Sequence, residues 1–303
     1  MIEKLKAIVG AANVLTAEPM KKHTTFRIGG PAKYYVTPMD CEQIRQILAL
    51  CKQEQMPYFI LGNGSNLLVS DAGYEGVVVQ IYKNMNQIQV NGETITAQAG
   101  ILLSQVAKRA LEHSLTGFEF ASGIPGTLGG AVVMNAGAYG GELKDVLVSA
   151  TVLTMDGEIK KLSVEELKLG YRTSIVKEEG YVVLEAELKL ISGDKEAIQK
   201  RMDELKVQRV EKQPLEFPSA GSTFKRPVGY FAGKLIQDAG LRGYQVGGAQ
   251  VAQKHCGFVI NRGDATAEDV LQLIRDVQKA VFEKYQVSLE TEIKFLGEFA
   301  EDK

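Results

Sequence analysis

Apolar and polar positions follow two different periods along this chain, and the switches between them divide it into three blocks. The N-terminal MIEKLKAIVGAANVL spaces its apolar residues as one face of a helix. AKYYVTP then reads as a strand, DCEQIRQILALCKQEQ as a helix and PYFILG as a strand, with Pro57 marking where the helix has already stopped. This βαβ-like unit runs into LGNGSNLLV. The second block opens on VVVQIY and continues as QIQVNGETITAQAG, two alternating runs joined by Asn91-Gly92, a two-residue hairpin signal. The helix LLSQVAKRALEHS follows, then a hairpin in VSATVLTMDGEIKKLS centred on Asp156-Gly157. A short helix with a capping box at Ser163 and Glu166 and the strand YVVLEAELKL complete the block. The third block lies beyond the charged helix DKEAIQKRMDELKVQRVEKQ, which Pro214 ends. It holds SAGSTFKRP, the helix FAGKLIQDAG, the strand GFVIN, a helix from Thr266 to Tyr285 and the strand VSLETEIKFLG. The expected class is α+β in three parts.

One stretch fits neither period. GIPGTLGGAVVMNAGAYGG, residues 123–141, holds no Asp, Glu, Lys or Arg. Its glycines at 123, 126, 129 and 130 argue against a good helix, since each costs about 1 kcal/mol relative to Ala, and they do not alternate as a strand. They suit a loop that passes close to a flat or phosphorylated ligand, or a buried crossover packed too tightly for side chains. The residues leave both readings open. A membrane span is excluded by the glycine density, Pro125 and the polar Ser122, Thr127 and Asn135.

Composition narrows the classes. The 303 residues are 45% hydrophobic and 24% charged, an ordinary balance for a chain with real cores, and the formal net charge of -2 supplies no field for nucleic acid. Cys41, Cys51 and Cys256 are odd in number and widely spaced, so neither a disulfide framework nor a zinc site is expected, and no metal is. The N-terminus lacks the apolar core of a signal peptide, and a cytoplasmic location is expected.

The remaining candidates each have a plain reading beside a sharper one. LGNGSNLL bunches Gly62, Asn63, Gly64, Ser65 and Asn66 at a strand end, as a turn or as an anion nest. It is no dinucleotide fingerprint, because Leu67 stands where the third Gly belongs. Ser222 in SAGSTFKRP is a turn residue or a reactive hydroxyl beside Lys225 and Arg226, without the G-x-S-x-G of a hydrolase elbow. Arg172 in GYRTS is a surface arginine or a bidentate grip on a carboxylate. Strand alternation in LETEIKFLG puts Leu289, Thr291, Ile293 and Phe295 on one face and Glu290, Glu292 and Lys294 on the other.

Taken in order, TTFRIGGPA, LGNGSNLLV, GIPGTLGGAVVMNAGAYGG, GYRTS, SAGSTFKRP, LIQDAGLRG and LETEIKFLG make the chain resemble the UDP-N-acetylenolpyruvoylglucosamine reductase (MurB) flavoproteins over nearly its whole length. Nothing between Arg172 and Ser222 looks like the tyrosine-bearing loop insertion, so the resemblance is to the shorter variety. It implies the FAD-binding fold of the vanillyl-alcohol-oxidase (PCMH) type, in subdomains 1–75 and 76–205, with a C-terminal α+β substrate domain 206–303. It implies noncovalent FAD, because no His or Cys lies in the glycine-rich segments, and NADPH as co-substrate. The expected reaction is reduction of the enolpyruvyl ether of UDP-N-acetylglucosamine to UDP-N-acetylmuramate in peptidoglycan precursor synthesis. No oligomer is implied; a monomer, with no nucleic-acid partner and no membrane insertion, is expected.

The resemblance also implies roles. Arg172 and Glu292 match the family's enolate-stabilising arginine and glutamate, and Ser222 its proton donor. Lys225, Arg226 and Arg242 match substrate contacts. Gly62, Asn63, Gly64, Ser65 and Asn66 form one expected half of the FAD clamp. Gly123, Ile124, Pro125, Gly126, Thr127, Gly129, Gly130, Asn135, Ala136 and Gly137 form the other. Glu292 would need a proton to assist an enolate, which burial would favour. Two rival functions are an oxidase on the same flavin scaffold and a nucleotide-sugar binding module without redox chemistry.

Overall fold

In the computed structural model, which describes residues 1–299, helices and strands follow the sequence periods closely. The chain divides into two compact units, each assembled from separated segments. The first comprises Met1–Leu15, Tyr34–Asn63 and Gly76–Arg209; the second comprises Thr16–Lys33, Gly64–Glu75 and the chain from Val210.

In the first unit the helix Ile2–Val9 buries Leu5 and Val9. Asp40 caps the helix Cys41–Gln53 by accepting the Gln43 amide at 2.8 Å, and that helix buries Ile44, Ile47, Leu50 and Cys51. Leu5, Val9, Ile47 and Leu50 meet Val36, Val77 and Val79 in one apolar cluster. The strand Tyr58–Leu61 pairs in parallel with Tyr74–Gln80, whose consecutive valines Val77 to Val79 are all buried, as a strand covered on both faces requires.

A second cluster fills the first unit beside a five-stranded antiparallel sheet. Its order is Ile159–Ser163, Leu147–Leu153, Val182–Lys189, Thr94–Gln98 and Ile88–Asn91. Both predicted hairpins form, one of them shifted by a residue. Asn91 pairs with Thr94, so the connection is Gly92-Glu93, with Gly92 at φ +59°. The capping box at Ser163 and Glu166 also forms, with hydrogen bonds of 2.8 and 3.3 Å, but it closes a single turn instead of a helix. Leu167 reaches back to the Ser163 carbonyl and Lys168 to that of Glu165 before the Gly170 turn begins, too short a run to repay helix nucleation.

The glycine-rich stretch departs most from expectation. Leu128–Met134 is a helix despite Gly129 and Gly130. Thr127 caps it, accepting the Gly130 amide at 3.4 Å, and Asn135 ends it at φ 42°. Tertiary packing overrides propensity here. A Cβ at Gly129 would lie 2.8 Å from the Ala99 Cβ, so glycine lets the helix lie against the sheet and bury Leu128, Ala131 and Val132.

The second unit has a four-stranded sheet in the order Ser219–Ser222, Phe258–Asn261, Ala249–Val251 and Gln245–Val246. The helix Ala267–Tyr285 starts from a Thr266–Asp269 capping box and buries Val270, Leu273, Ile274, Val277 and Val281. These join Phe26, Ile28, Leu68, Leu289 and Ile293 in the unit's core. The last predicted strand is shorter than its pattern, reaching only from Lys294 to Leu296, parallel to Leu67–Val69. Leu289 and Ile293 are buried as alternation requires, but the phase then slips, burying Leu296 and leaving Phe295 37% exposed. Among the described residues no helix is long and apolar enough to cross a membrane, and no group of three His, Cys, Asp or Glu could hold a metal.

Candidate active site

In the first unit two glycine-rich segments converge. A Cβ at Gly62 would lie 2.4 Å from Oγ1 of Thr127, so only glycine admits the strand end this close to the helix cap. Next to it, the Asn63 side-chain Nδ2 donates to the Pro125 carbonyl at 2.6 Å. The Gly126 carbonyl accepts from Leu103, and the Ile124 amide donates to Ala121, which fixes the loop from both sides. Gly123, Pro125 and Gly130 remain exposed, an uncharged stretch of main chain at the surface of this unit. Further along, the Ala136 amide closes on Ala131, and Gly137 pairs with Glu142 in a short hairpin.

Asn135 does something the glycine pattern did not reveal. It is fully buried, its amide donates to Glu142 Oε2 at 2.7 Å and to the Gly170 carbonyl at 3.2 Å, and its carbonyl oxygen accepts from the Lys144 amide. Gly170 and Thr173 bridge each other through main-chain hydrogen bonds and present Arg172 at φ 58°, a left-handed conformation uncommon for arginine. Ser174 anchors the far side of this turn on the Val133 carbonyl at 2.8 Å, and Lys177 donates to the Arg172 carbonyl. The Arg172 guanidinium lies over the Tyr171 ring at 5.0 Å. Asn135 thus ties the glycine-rich stretch to the turn that carries Arg172.

In the second unit, residues about seventy apart are brought onto neighbouring segments. Ser222 ends its strand just after Gly221, which sits at φ +78°. The register moves from Ser219 opposite Ile260 to Ser222 opposite Phe258, one residue more on this strand than on its partner, which is a β-bulge. Thr223 then locks the neighbourhood. Its amide donates to Gly257, its hydroxyl accepts the Val259 amide at 3.0 Å, and its carbonyl accepts the Glu292 amide at 2.8 Å. Phe224 bridges Thr291, and the Lys225 amide donates to Glu290. Half-buried Ser222 and half-buried Glu292 therefore flank one short ladder. Asn66 joins them: its side chain donates to the Glu292 carbonyl at 3.2 Å, and its own carbonyl accepts from Lys294. Gly64 is pressed against the His23 carbonyl, 2.1 Å from where a Cβ would stand, and Ser65, next in the chain, is half-buried.

The cationic candidates of the second unit each have a partner of their own. Lys225 pairs with exposed Glu290 at 2.7 Å, and that hydrogen bond holds the Glu290 carboxyl below its usual range. Arg226 stacks its guanidinium over the Phe231 ring at 4.6 Å. Arg242 donates to the Gln253 carbonyl and to Gln237 Oε1, and stays exposed.

Residues 213–296 match the model of the UDP-N-acetylenolpyruvoylglucosamine reductase C-terminal domain, and residues 32–163 match that of an FAD binding domain. The UDP-N-acetylenolpyruvoylglucosamine reductase of Agathobacter rectalis is 58% identical over 298 residues, covering 94% of this chain and 95% of its own. That of Alkaliphilus oremlandii is 52% identical over 303 residues, covering 98% and 100%. The chain belongs to the UDP-N-acetylenolpyruvoylglucosamine reductase family. The crystal structure of the Thermus caldophilus member superposes with a TM-score of 0.81 at 37% identity, covering 94% of this chain and 98% of that one. The fold is accordingly the FAD-binding PCMH type with a C-terminal α+β domain, and the chain is an FAD-dependent oxidoreductase.

The residues present fit that cofactor. FAD is large, partly aromatic and anionic, and the first unit offers bare, uncharged main chain at Gly123 and Gly130, where a side chain would obstruct a flat ligand and a carboxylate would repel it. Two contributors escaped the sequence reading. Thr223 carries no chemical signal of its own, and its main-chain role emerges only from the pairing. Arg209 is hidden in the charged helix Lys195–Lys212, yet it lies directly behind Gly123.

Proposed function

We propose that this chain reduces the enolpyruvyl ether of UDP-N-acetylglucosamine to UDP-N-acetylmuramate, with NADPH as the reductant, in peptidoglycan precursor synthesis. The placement of Ser222 and Glu292 on either side of Thr223 carries the reading, together with relatives 52–58% identical over almost the whole chain. FAD, once reduced, supplies the hydride. Accepting it at the enolpyruvyl methylene leaves carbanion character beside a carboxylate, and the charge spreads into an enolate-like form. Groups that bind this charge act on the transition state more than on the ground state. Arg172 meets the developing charge with a guanidinium fork. Glu292 stabilises the enolate together with Arg172. Ser222 delivers a proton to the adjacent carbon; a hydroxyl is a weak acid, so this step relies on a strongly basic acceptor and a fixed donor. The bulge at Gly221 and the hydrogen bonds of Thr223 supply the fixing.

Gly62 to Asn66, Gly123 to Thr127, Gly129, Gly130 and Asn135 to Gly137 hold FAD without a covalent bond, and Lys225, Arg226 and Arg242 meet the UDP-sugar. The FAD-binding subdomains of this reading run over 1–75 and 76–205, followed by a substrate domain at 206–303. The enzyme acts as a cytoplasmic monomer. Incubation with NADPH and UDP-N-acetylglucosamine enolpyruvate should consume one NADPH per substrate and give a product two hydrogens heavier by mass spectrometry. Steady oxygen uptake with a hydroxy acid or sugar, and no such product, would favour the oxidase. A protein that stays colourless when given FAD would favour a binding module.

A further inference from the structure

The strand Ser219–Ser222 lies at the edge of its four-stranded sheet, so carbonyls on its outer side need partners from elsewhere in the chain. The Asn261 amide donates to the Pro218 carbonyl at 2.9 Å, and alternation turns the next carbonyl, that of Ser219, to the open edge. Half-buried Thr25 reaches it across 194 residues of sequence, donating its hydroxyl at 2.6 Å.

Thr25 is itself held from several sides. Its amide donates to the Gly64 carbonyl at 3.1 Å. The hydroxyl of buried Thr24 donates to the Ile28 carbonyl at 3.2 Å, and the Asn261 side chain donates to the Phe26 carbonyl at 3.2 Å. Phe26 and Ile28 are sunk in the core of the unit. With a β-branched side chain that is stiff at χ1, the hydroxyl is a fixed anchor.

What it anchors is the start of the bulge. Between Ser219 opposite Ile260 and Ser222 opposite Phe258 this strand carries one extra residue. Thr223 closes the far end through Gly257 and Val259. A Cβ at Gly221 would meet nothing within 4 Å, so glycine serves the φ of +78° there and no crowding wedges the bulge in place. If regular pairing ran on from Ser219 opposite Ile260, Ser222 would come opposite Gly257 and its side chain would turn to the other face of the sheet.

We propose that Thr25 is a positioning residue for the proton donor: its hydroxyl, through the Ser219 carbonyl, holds the bulge that aims Ser222. This role rests on Ser222 as the proton donor of the reaction proposed above.

The test uses wild-type protein, Thr25→Val, Thr25→Ser, Ser222→Ala and the double variant with Thr25→Val and Ser222→Ala, each loaded with FAD. Flavin reduction by NADPH and reoxidation by UDP-N-acetylglucosamine enolpyruvate are timed in light and heavy water, beside FAD affinities and thermal melts. Valine keeps the shape of threonine and removes the hydroxyl. Thr25→Val should hold FAD affinity and flavin reduction within about 3-fold of wild type and slow reoxidation about 10- to 100-fold, the range for a displaced reacting group. The solvent isotope effect on reoxidation should rise, because proton delivery becomes the slower event. Thr25→Ser, which keeps the oxygen, should recover most of the rate. In the double variant Thr25→Val should add nothing to the loss from Ser222→Ala, since it acts through that residue. Wild-type reoxidation in Thr25→Val would overturn the proposal, as would additive losses in the double variant or a serine variant as slow as the valine one. So would equal loss of both half-reactions with a lower melting temperature, the mark of a merely structural residue. A wild-type protein that reoxidises no faster than Ser222→Ala would instead remove the proton-donor assignment, and this role with it.

Discussion

The main-chain amide of Glu292 donates to the Thr223 carbonyl at 2.8 Å, which puts the carboxylate-bearing segment one strand spacing from the residue that follows Ser222. Because the link is main chain to main chain, the side chains on either side of it can be changed without breaking it. That separation of frame from chemistry makes the assigned roles testable one at a time.

Glu292→Gln keeps the size and the amide hydrogen bond but cannot carry an ionisable proton. We expect FAD content and flavin reduction by NADPH to stay within about 3-fold of wild type, while transfer to the enolpyruvyl substrate falls about 100-fold or more, the range for loss of a positioned acid or oxyanion donor. Arg172→Ala should behave likewise, and Arg172→Lys should rescue it poorly, since an ammonium cannot reproduce the fork. Release of FAD by either variant, read from the absorbance of the purified protein, would assign a structural role instead.

Gly129 tests the packing of the glycine-rich helix. A methyl group there meets the Ala99 Cβ at 2.8 Å and its carbonyl oxygen at 3.1 Å, neither of which is a flexible chain end. Gly129→Ala gains helix propensity of about 1 kcal/mol but forces the helix off the sheet, and overpacking of this kind costs about 1–3 kcal/mol. A net loss in urea-unfolding stability is expected, with weaker FAD retention. A more stable variant would show that the helix has room to move.

Asp269 gives a pH dependence with a definite sign. Burial raises its pKa, but amide hydrogen bonds from Thr266 and Gly248 outweigh burial and leave it lowered. A carboxylate depressed in the folded state contributes stability that is present above its unfolded value, about 3.9, and is lost as pH falls through the folded value. Asp269→Asn should therefore melt lower than wild type at pH 7, and the gap should close as both are acidified below pH 4. A gap that persists undiminished in acid would mean that the charge contributes nothing.

The secondary structure was legible wherever a segment's own pattern decided it. The helices expected to begin at Asp40 and at Thr266, and the one expected to stop before Pro214, lie within a residue or two of those bounds. The pattern misled where a neighbour decides. Gly129 and Gly130 argue against a helix until Ala99 is seen against them, and Phe295 follows alternation until the short pairing with Leu68 exposes it. Of the candidate site, Ser222, Glu292 and Arg172 were legible as residues of matching motifs, but their supports were not. Thr223 acts through its main chain, Asn135 through a tie to Gly170, and Arg209 through its place beside Gly123. None of those three leaves a spacing or a composition that a linear reading detects.

The central claim is tested most directly by double-mixing stopped-flow absorbance of the flavin, with NADPH first and UDP-N-acetylglucosamine enolpyruvate second, on wild type and Ser222→Ala. The account predicts that both proteins bleach at similar rates with NADPH, and that only wild type recovers its colour rapidly with the enolpyruvyl substrate. A Ser222→Ala protein that recovers as fast as wild type, or that loses both phases equally, would contradict it.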